Sequence, residues 1–410
     1  MAGKITFFPV DNGDMTLIKL DDERETTILI DINIRQKAED ENDDTRDVSA
    51  DLRERLNEDK NKRPYVDVFV LSHPDQDHCS GADRNLHLGP LAEYEDEPGE
   101  GEEKKIVVRE IWSSPVVFRR ASKGNPLCAD AKAVSKEAKR RVKAFRDNNE
   151  ATSITDMAEG DRIRIIGEDE QGKTDDILSI VSKIDDVFCE VNGQDNGFTK
   201  MTVLGPLPAG EAEGDDGKLA SNRSSIILQY HLWPKITAGT DGGYCLYLTG
   251  GDAGVEVWDR LDERHKAGNF EPLEYDLLLS PHHCSWRSLS HDSWSDNGEA
   301  AKVSEQARHA LSRIREVTRG YIVASSKPIL EEEPNPPHER AKREYVDIVD
   351  DKERFYCTGE YPSEDVPGPL EFSITSNGFE PPRKTGSSVS GAAAALGATT
   401  SRVGHGEQTR

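Results

Sequence analysis

Short apolar runs punctuated by turn residues dominate the start of the chain. Residues 5–10 are apolar, Asp11-Asn12-Gly13-Asp14 is a turn signal, and residues 15–20 and 27–32 are apolar or alternating, which predicts a β-meander. Residues 35–62 are dominated by charge, with residues 52–56 on one helical face, and predict an exposed insertion around a single helix. A core strand is expected over 66–71. Residues 94–105 are acidic and contain glycine, as a solvated loop does. Strand patterns return at 106–112, 162–166, 201–204, 225–230, 244–249, 275–280 and 321–324, and helical patterns at 128–148 and 255–264. The expected architecture is a two-layer sheet sandwich flanked by helices. One domain over residues 1–375 accounts for these elements, with acidic insertions near 36–62 and 89–105. Past Thr375 the chain turns rich in Gly, Ala, Ser and Thr, so residues 376–410 are expected to form a disordered tail.

Composition narrows the class. With 35% hydrophobic and 32% charged residues the chain reads as water-soluble with a strongly polar surface. No apolar stretch approaches the roughly 20 residues needed to span a bilayer. Met1-Ala2-Gly3-Lys4 leads into a strand without the apolar segment of a secretory signal, so a cytoplasmic location without membrane contact is expected. Cys79, Cys128, Cys189, Cys245, Cys284 and Cys357 are spread singly and read as free thiols. A formal net charge of −26 repels nucleic acid in bulk, so any nucleic-acid role must rest on a local basic patch, metal ions or a partner. The most basic stretch is the helix at 128–148, with Lys132, Lys136, Lys139, Arg140, Arg141, Lys143 and Arg146. Its ordinary reading is a solvated charged face, and its alternative a surface for an anionic substrate or partner.

The densest chemistry lies in Ser72-His73-Pro74-Asp75-Gln76-Asp77-His78-Cys79-Ser80-Gly81, directly after an apolar strand. His73, Asp75, Asp77 and His78 set four potential metal ligands close together, and buried carboxylates and imidazoles are costly unless paired or bound to a cation. The carboxyl end of a core strand is also where open α/β sheets place ligands. Two later segments carry similar chemistry, Leu248-Thr249-Gly250-Gly251-Asp252 and Ser280-Pro281-His282-His283-Cys284-Ser285. Taken alone, Gly-Gly-Asp is an ordinary turn, whereas adjacent histidines at a strand end are uncommon in one.

In this order the segments resemble the metallo-β-lactamase superfamily, and in particular the soluble hydrolase domain attached to ComEC-type DNA-uptake channels. Val10-Asp11-Asn12-Gly13-Asp14 resembles that family's Asp-Val-Gly-Gln-Gly-Asp turn, residues 27–31 its Ile-Leu-Ile-Asp strand, and His73 to His78 its His-x-Asp-x-Asp-His motif. Asn222-Arg223-Ser224-Ser225 is similar to its Asn-x-x-Ser, the Asp252 segment to its Leu-Thr-Gly-Asp, and the His282-His283 segment to its Pro-His-His-Gly-Ser. The resemblance spans residues 5–340. It implies an αββα sandwich of two mixed sheets and a centre for one or two divalent ions, zinc or manganese.

On that resemblance His73, Asp75, Asp77, His78, Asp252 and His282 or His283 are the ligands, with Asp252 as the bridging carboxylate. Asp77 would orient an attacking water, and a protonated His282 or His283 would serve as general acid. Asn222, Ser225, Ser285, Lys327 and His338 are candidate substrate contacts. Three departures stand out. Asp75 occupies a position where the wider superfamily has histidine, which shifts preference from zinc toward manganese or magnesium. No histidine between residues 79 and 230 other than His87 supplies a third ligand beside His73 and Asp75, so one tight ion and one conditional ion are expected. Cys284 stands where the family has glycine. The implied activity is hydrolysis of a phosphodiester, in a nucleotide or single-stranded nucleic acid. Hydrolysis of a thioester or lactone, and a non-catalytic scaffold role with a protein partner in a multi-gene system, are the alternatives.

Overall fold

The computed structural model describes residues 2–39, 43–99, 103–115, 118, 126–167, 172–208, 224–238, 243–266, 268–331 and 335–382. Two mixed sheets lie face to face with helices outside both. In the first, the strand order is Gly378–Glu380, Leu370–Thr375, Lys4–Phe7, Thr16–Lys19, Thr27–Ile30, Pro64–Val70, Ile106–Ser113, Arg162–Ile166 and Val181–Ser182. In the second it is Val187–Phe188, Thr199–Gly205, Ile227–Leu232, Cys245–Leu248, Leu277–Leu279, Tyr321–Ala324 and Phe355–Cys357. Each sheet is antiparallel on one side and parallel on the other; the change falls at Thr27–Ile30 in the first and at Cys245–Leu248 in the second.

Alternation along the strands explains the layering. Ile5, Phe7, Ile28, Ile30 and Val70 of one sheet meet Leu228, Tyr230, Tyr247, Leu277 and Val323 of the other in a central apolar layer. The opposite faces are covered too: Leu17, Leu29 and Phe69 pack on Val134 and Phe145 of the helix Ala129–Asp147, and Leu248, Leu278 and Ile322 on Trp258, Leu311 and Tyr345. Burial on both faces is why parallel strands such as Leu277–Leu279 are apolar at every position.

Four expectations are modified. Among its described residues the charged segment at 35–62 is docked through its helix, while many of its charged side chains face water. Val48 and Leu52 of the helix Val48–Arg53 reach the core, Asp51 is buried against Arg46, and Asn57–Glu58 pairs with Pro64–Val70. The acidic loop after residue 94 is anchored, because the Tyr94 hydroxyl donates to the Lys105 carbonyl at 2.7 Å and Arg63 lies over the Tyr94 ring. Past Thr375 the chain turns back as Gly378–Glu380 and extends the first sheet, because Phe379 is buried in the central layer. Of the expected tail, residues 383–410 lie outside the described residues. Finally, Arg141 of the basic helix is fully buried. It pairs with Glu137 and donates to the carbonyls of Val108 and Arg162, tying the helix to two strands. Arg140 turns to Glu137 and Asp161, while Lys132, Lys136 and Lys139 remain exposed.

Phe7 joins the sheets, with its ring 5.9 Å from Tyr247 and 6.2 Å from Phe372, edge to face in both cases. Phe7→Ala leaves a cavity there and is expected to cost about 3–5 kcal/mol, measured as a lower midpoint in urea at unchanged slope.

Candidate metal centre

The potential ligands sit on loops that leave the carboxyl ends of strands. Pro64–Val70 leads to the loop carrying His73, Asp75, Asp77 and His78, Cys245–Leu248 to Asp252, and Leu277–Leu279 to His282 and His283. Backbone bonds lock the loops: the Ile226 N–H donates across the sandwich to the Ser72 carbonyl at 2.9 Å, that of His282 to Gly251 at 2.9 Å joins two loops of the second sheet, and that of Asp14 to Asp77 at 3.2 Å two loops of the first. Two glycines permit this closeness. At Gly13 (φ +151°) a Cβ would fall 2.5 Å from the Asp77 carbonyl oxygen, and at Gly251 (φ +46°) 3.0 Å from the Ser225 side chain.

Asp252 lies in the middle, 3% exposed. Its Oδ1 is 3.1 Å from His78 Nε2 and 3.4 Å from His283 Nε2, and His283 Nε2 is 3.3 Å from both His78 Nε2 and Asp77 Oδ2. Its Oδ2 faces His73 Nε2 at 3.5 Å and His282 Nε2 at 3.6 Å, with Asp75 Oδ2 3.8 Å from His73 Nε2. Donor atoms of Asp77, His78, Asp252 and His283 lie within 4.8 Å of one another, as do those of His73, Asp75 and Asp252. Tetrahedral coordination with ligands about 2.0–2.1 Å from an ion sets them about 3.3 Å apart, close to the spacing around Oδ1. His73 Nε2 and Asp252 Oδ1 are buried without a hydrogen-bond partner, an arrangement that is costly unless a cation compensates. The donor set fits one or two divalent ions. The His73–Asp75 side, short of a ligand in the sequence, receives Asp252 Oδ2 and the neighbouring His282 from the other sheet.

Three supporting residues were not in the set read from the sequence. Asp31 Oδ2 is 2.8 Å from His78 Nδ1 and accepts the Ser72 hydroxyl at 2.5 Å; that hydroxyl oxygen is also 3.1 Å from His73 Nδ1. Asp14 Oδ1 stands 3.4 Å from His283 Nδ1, beside the Ser325 carbonyl at 3.2 Å. With Nδ1 engaged, each ring directs Nε2 toward Asp252. Asp14, Asp31 and His78 also form a compact group, but they meet on the Nδ1 side of His78 and act as its support. The signal available in the sequence is a carboxylate ending an apolar strand, Asp31, or closing the turn before one, Asp14.

The histidine pair is held in an unusual backbone. His282, His283 and Cys284 have φ of 52°, 55° and 65°, each costing roughly 1–2 kcal/mol for a residue with a Cβ. Cys284 thus adopts a left-handed conformation that favours glycine. Its thiol is fully buried, is pushed well up by desolvation, and belongs to none of the donor groups.

The remaining candidates fall around this centre. The Ser225 hydroxyl accepts the Asp252 N–H at 3.2 Å and so positions the carboxylate. Ser285 is fully buried, donating to Asn335 and accepting from Arg287 N–H. His338 caps the helix Glu339–Val349, its ring 4.7 Å from Trp294. Lys327 is exposed, its backbone N–H bonded to Asn12. His87 is engaged with the Pro90 carbonyl, and Asn222 lies outside the described residues.

Charge is concentrated here. Burial opposes the charged form of His283, but Asp252, Asp14 and Asp77 outweigh it and push the imidazole up to about 10. Burial is likewise overcome at His78 by Asp252 and Asp31, which raise it well above its ordinary value. Desolvation would raise Asp77 and Asp252, yet the surrounding imidazoles hold both below the usual carboxylate range. At His282 burial wins and lowers the imidazole.

Among the described residues no helix is long and apolar enough to cross a membrane. Neither protein-family models nor curated proteins give a match to this chain. The two-sheet sandwich with clustered histidines and aspartates is consistent with a metallo-β-lactamase-superfamily fold.

The shared carboxylate and the raised His283 imidazole have consequences that can be measured. Elemental analysis after loading with excess manganese should find His73→Ala retaining one ion and Asp252→Ala none; equal losses would contradict two compartments joined by Asp252. A cation must displace the His283 proton, so metal uptake between pH 6.5 and about 10 should release protons, read by calorimetry in two buffers of different ionisation heat. Without metal, the stability contributed by protonated His283 is complete below pH 6.5 and lost as pH rises through about 10, so the melting temperature of stripped protein should fall across that window.

Proposed function

We propose that this chain is a metal-dependent hydrolase of phosphodiesters, acting on a nucleotide or a short single-stranded nucleic acid. The observation that carries the reading is Asp252, one carboxylate shared by two facing groups of donors. A divalent ion held by these residues acidifies water and polarises the oxygen under attack. The Asp77 side chain is 40% exposed, the most open of the donors, and in this reading it orients the attacking water. His282 faces Asp252 Oδ2 at 3.6 Å and in this reading exchanges a proton with the substrate. His283, buried and held by Asp14 and Ser325, serves as a ligand. Lys327, exposed beside Asn12, offers a cation to phosphate.

Three considerations favour a small phosphodiester. The carboxylates of Asp75, Asp77 and Asp252 make a hard donor set suited to manganese or magnesium. The net charge of −26 disfavours a long nucleic acid unless a partner delivers it. The resemblance of the ligand segments to ComEC-type hydrolase domains supports the same chemistry.

The test is manganese-loaded protein assayed against a chromogenic phosphodiester and a dinucleotide, beside a thioester and a lactone. Phosphodiester cleavage should fall at least about 100-fold in Asp77→Ala. Undiminished cleavage in that variant, or turnover of only the carbonyl substrates, would overturn the reading.

A further inference from the structure

Under the loop that carries four of the donors, two thiols meet. Cys79 follows His78 directly and is fully buried, and its Sγ lies 3.5 Å from that of Cys128. Cys128 is the N-cap residue of the helix Ala129–Asp147, half-buried, its sulfur accepting the Ala131 N–H at 3.4 Å. The hydrogen bond with Cys79 overcomes partial desolvation and, with that helix N–H, holds the Cys128 thiol at about 6. The two sulfurs are therefore unequal. One is partly exposed at a helix N-terminus, the setting of reactive cysteines; the other is enclosed. Neither has a part in the proposed hydrolysis.

Cys79 is also built into the ligand loop. Its Sγ lies 3.2 Å from the Asp75 carbonyl, so its single S–H is shared between that oxygen and the Cys128 sulfur. Asp130, in the first turn of the same helix, accepts the N–H groups of Gly81 and Asp83, so helix and loop form one packed unit.

We propose that Cys79 and Cys128 are a redox modification site, forming a reversible disulfide in response to a hydroperoxide and thereby loosening the His73–Asp75 side of the metal centre. The Cys128 thiolate attacks the peroxide, its sulfur taking one oxygen as the O–O bond breaks; hydroxide or alkoxide leaves and takes up from solvent the proton that the Cys128 thiol gave up on ionising, as water or an alcohol. The Cys79 thiol then attacks that sulfenic sulfur; the S–S bond forms, the S–O bond breaks, and hydroxide departs with the thiol proton as water. Two thiols and one hydrogen peroxide give one disulfide and two waters, and a dithiol reductant reverses the change. The sulfurs must close from 3.5 Å to about 2.05 Å. That closure draws on the loop, and the disulfide has no S–H left to donate to the Asp75 carbonyl. The disulfide stands independently of the function proposed above, whereas its effect on the centre rests on that reading.

The experiment treats the full chain, stripped of metal, with hydrogen peroxide, removes the excess, maps cross-linked peptides without reduction, and titrates with manganese alone. A Cys79–Cys128 cross-link is expected, reversed by dithiothreitol and absent in Cys128→Ser, a substitution that retains a helix-capping side chain. Manganese should bind the oxidised form about tenfold more weakly than the reduced form. No cross-link between these two residues overturns the site, and equal manganese affinity in the two forms overturns its coupling to the loop. A cross-link in protein whose reduced form takes up no manganese would overturn the metal reading instead, so the two failures are distinguishable.

Discussion

The buried carboxylate of Asp252 is the constraint around which the active end of this molecule is arranged. An ionised group almost wholly removed from water loses several kcal/mol of hydration, and Asp252 is set among four imidazoles drawn from both sheets, an arrangement suited to sharing a cation with them. Those rings in turn must present the correct nitrogen. Asp31, Asp14, Ser72 and the Ser325 carbonyl exist in that sense to hold rings rather than to react. The backbone bond from Ile226 to Ser72 and the contact between Gly251 and Ser225 bring the two edges close enough for one carboxylate to serve both.

This closeness is bought with backbone strain at His282, His283 and Cys284, concentrated where the donors are. The strain persists because neighbouring hydrogen bonds over-determine the loop: His282 N–H is fixed on Gly251, the Cys284 carbonyl accepts from His338, and the His283 ring is fixed on its Nδ1 side. Strained residues held this way cluster at functional sites because a relaxed loop would aim the side chains elsewhere.

Much of this was legible in the sequence. The largely apolar runs at 66–71 and 275–280 announced strands, and the cluster from His73 to His78 announced a centre at a strand end. Other features depended on distances in space that no local pattern encodes. His282 reaches the His73 side only because three consecutive residues adopt positive φ. The charged segment at 35–62 looked detached because its few apolar residues, Val48 and Leu52, are spaced among acids, yet these are what dock it. The helix at 128–148 read as uniformly basic, although Arg141 is turned inward to bind strand carbonyls while nearby lysines face water. Ser285 sits beside the histidine pair in sequence but points into packing, since adjacent residues on so tight a turn diverge in direction.

The donors are also far apart along the chain, with His78 and His283 separated by 205 positions. Contacts of such long sequence separation form slowly, because the entropy of closing large loops must be overcome before they contribute. Neither sheet alone contains both facing groups of donors, so no partly folded half offers an ion the whole set. Ion capture would thereby be confined to a chain whose two sheets have already docked, and a bound ion would favour the assembled state over every earlier one. The centre works as a seal on completed folding rather than as its nucleus.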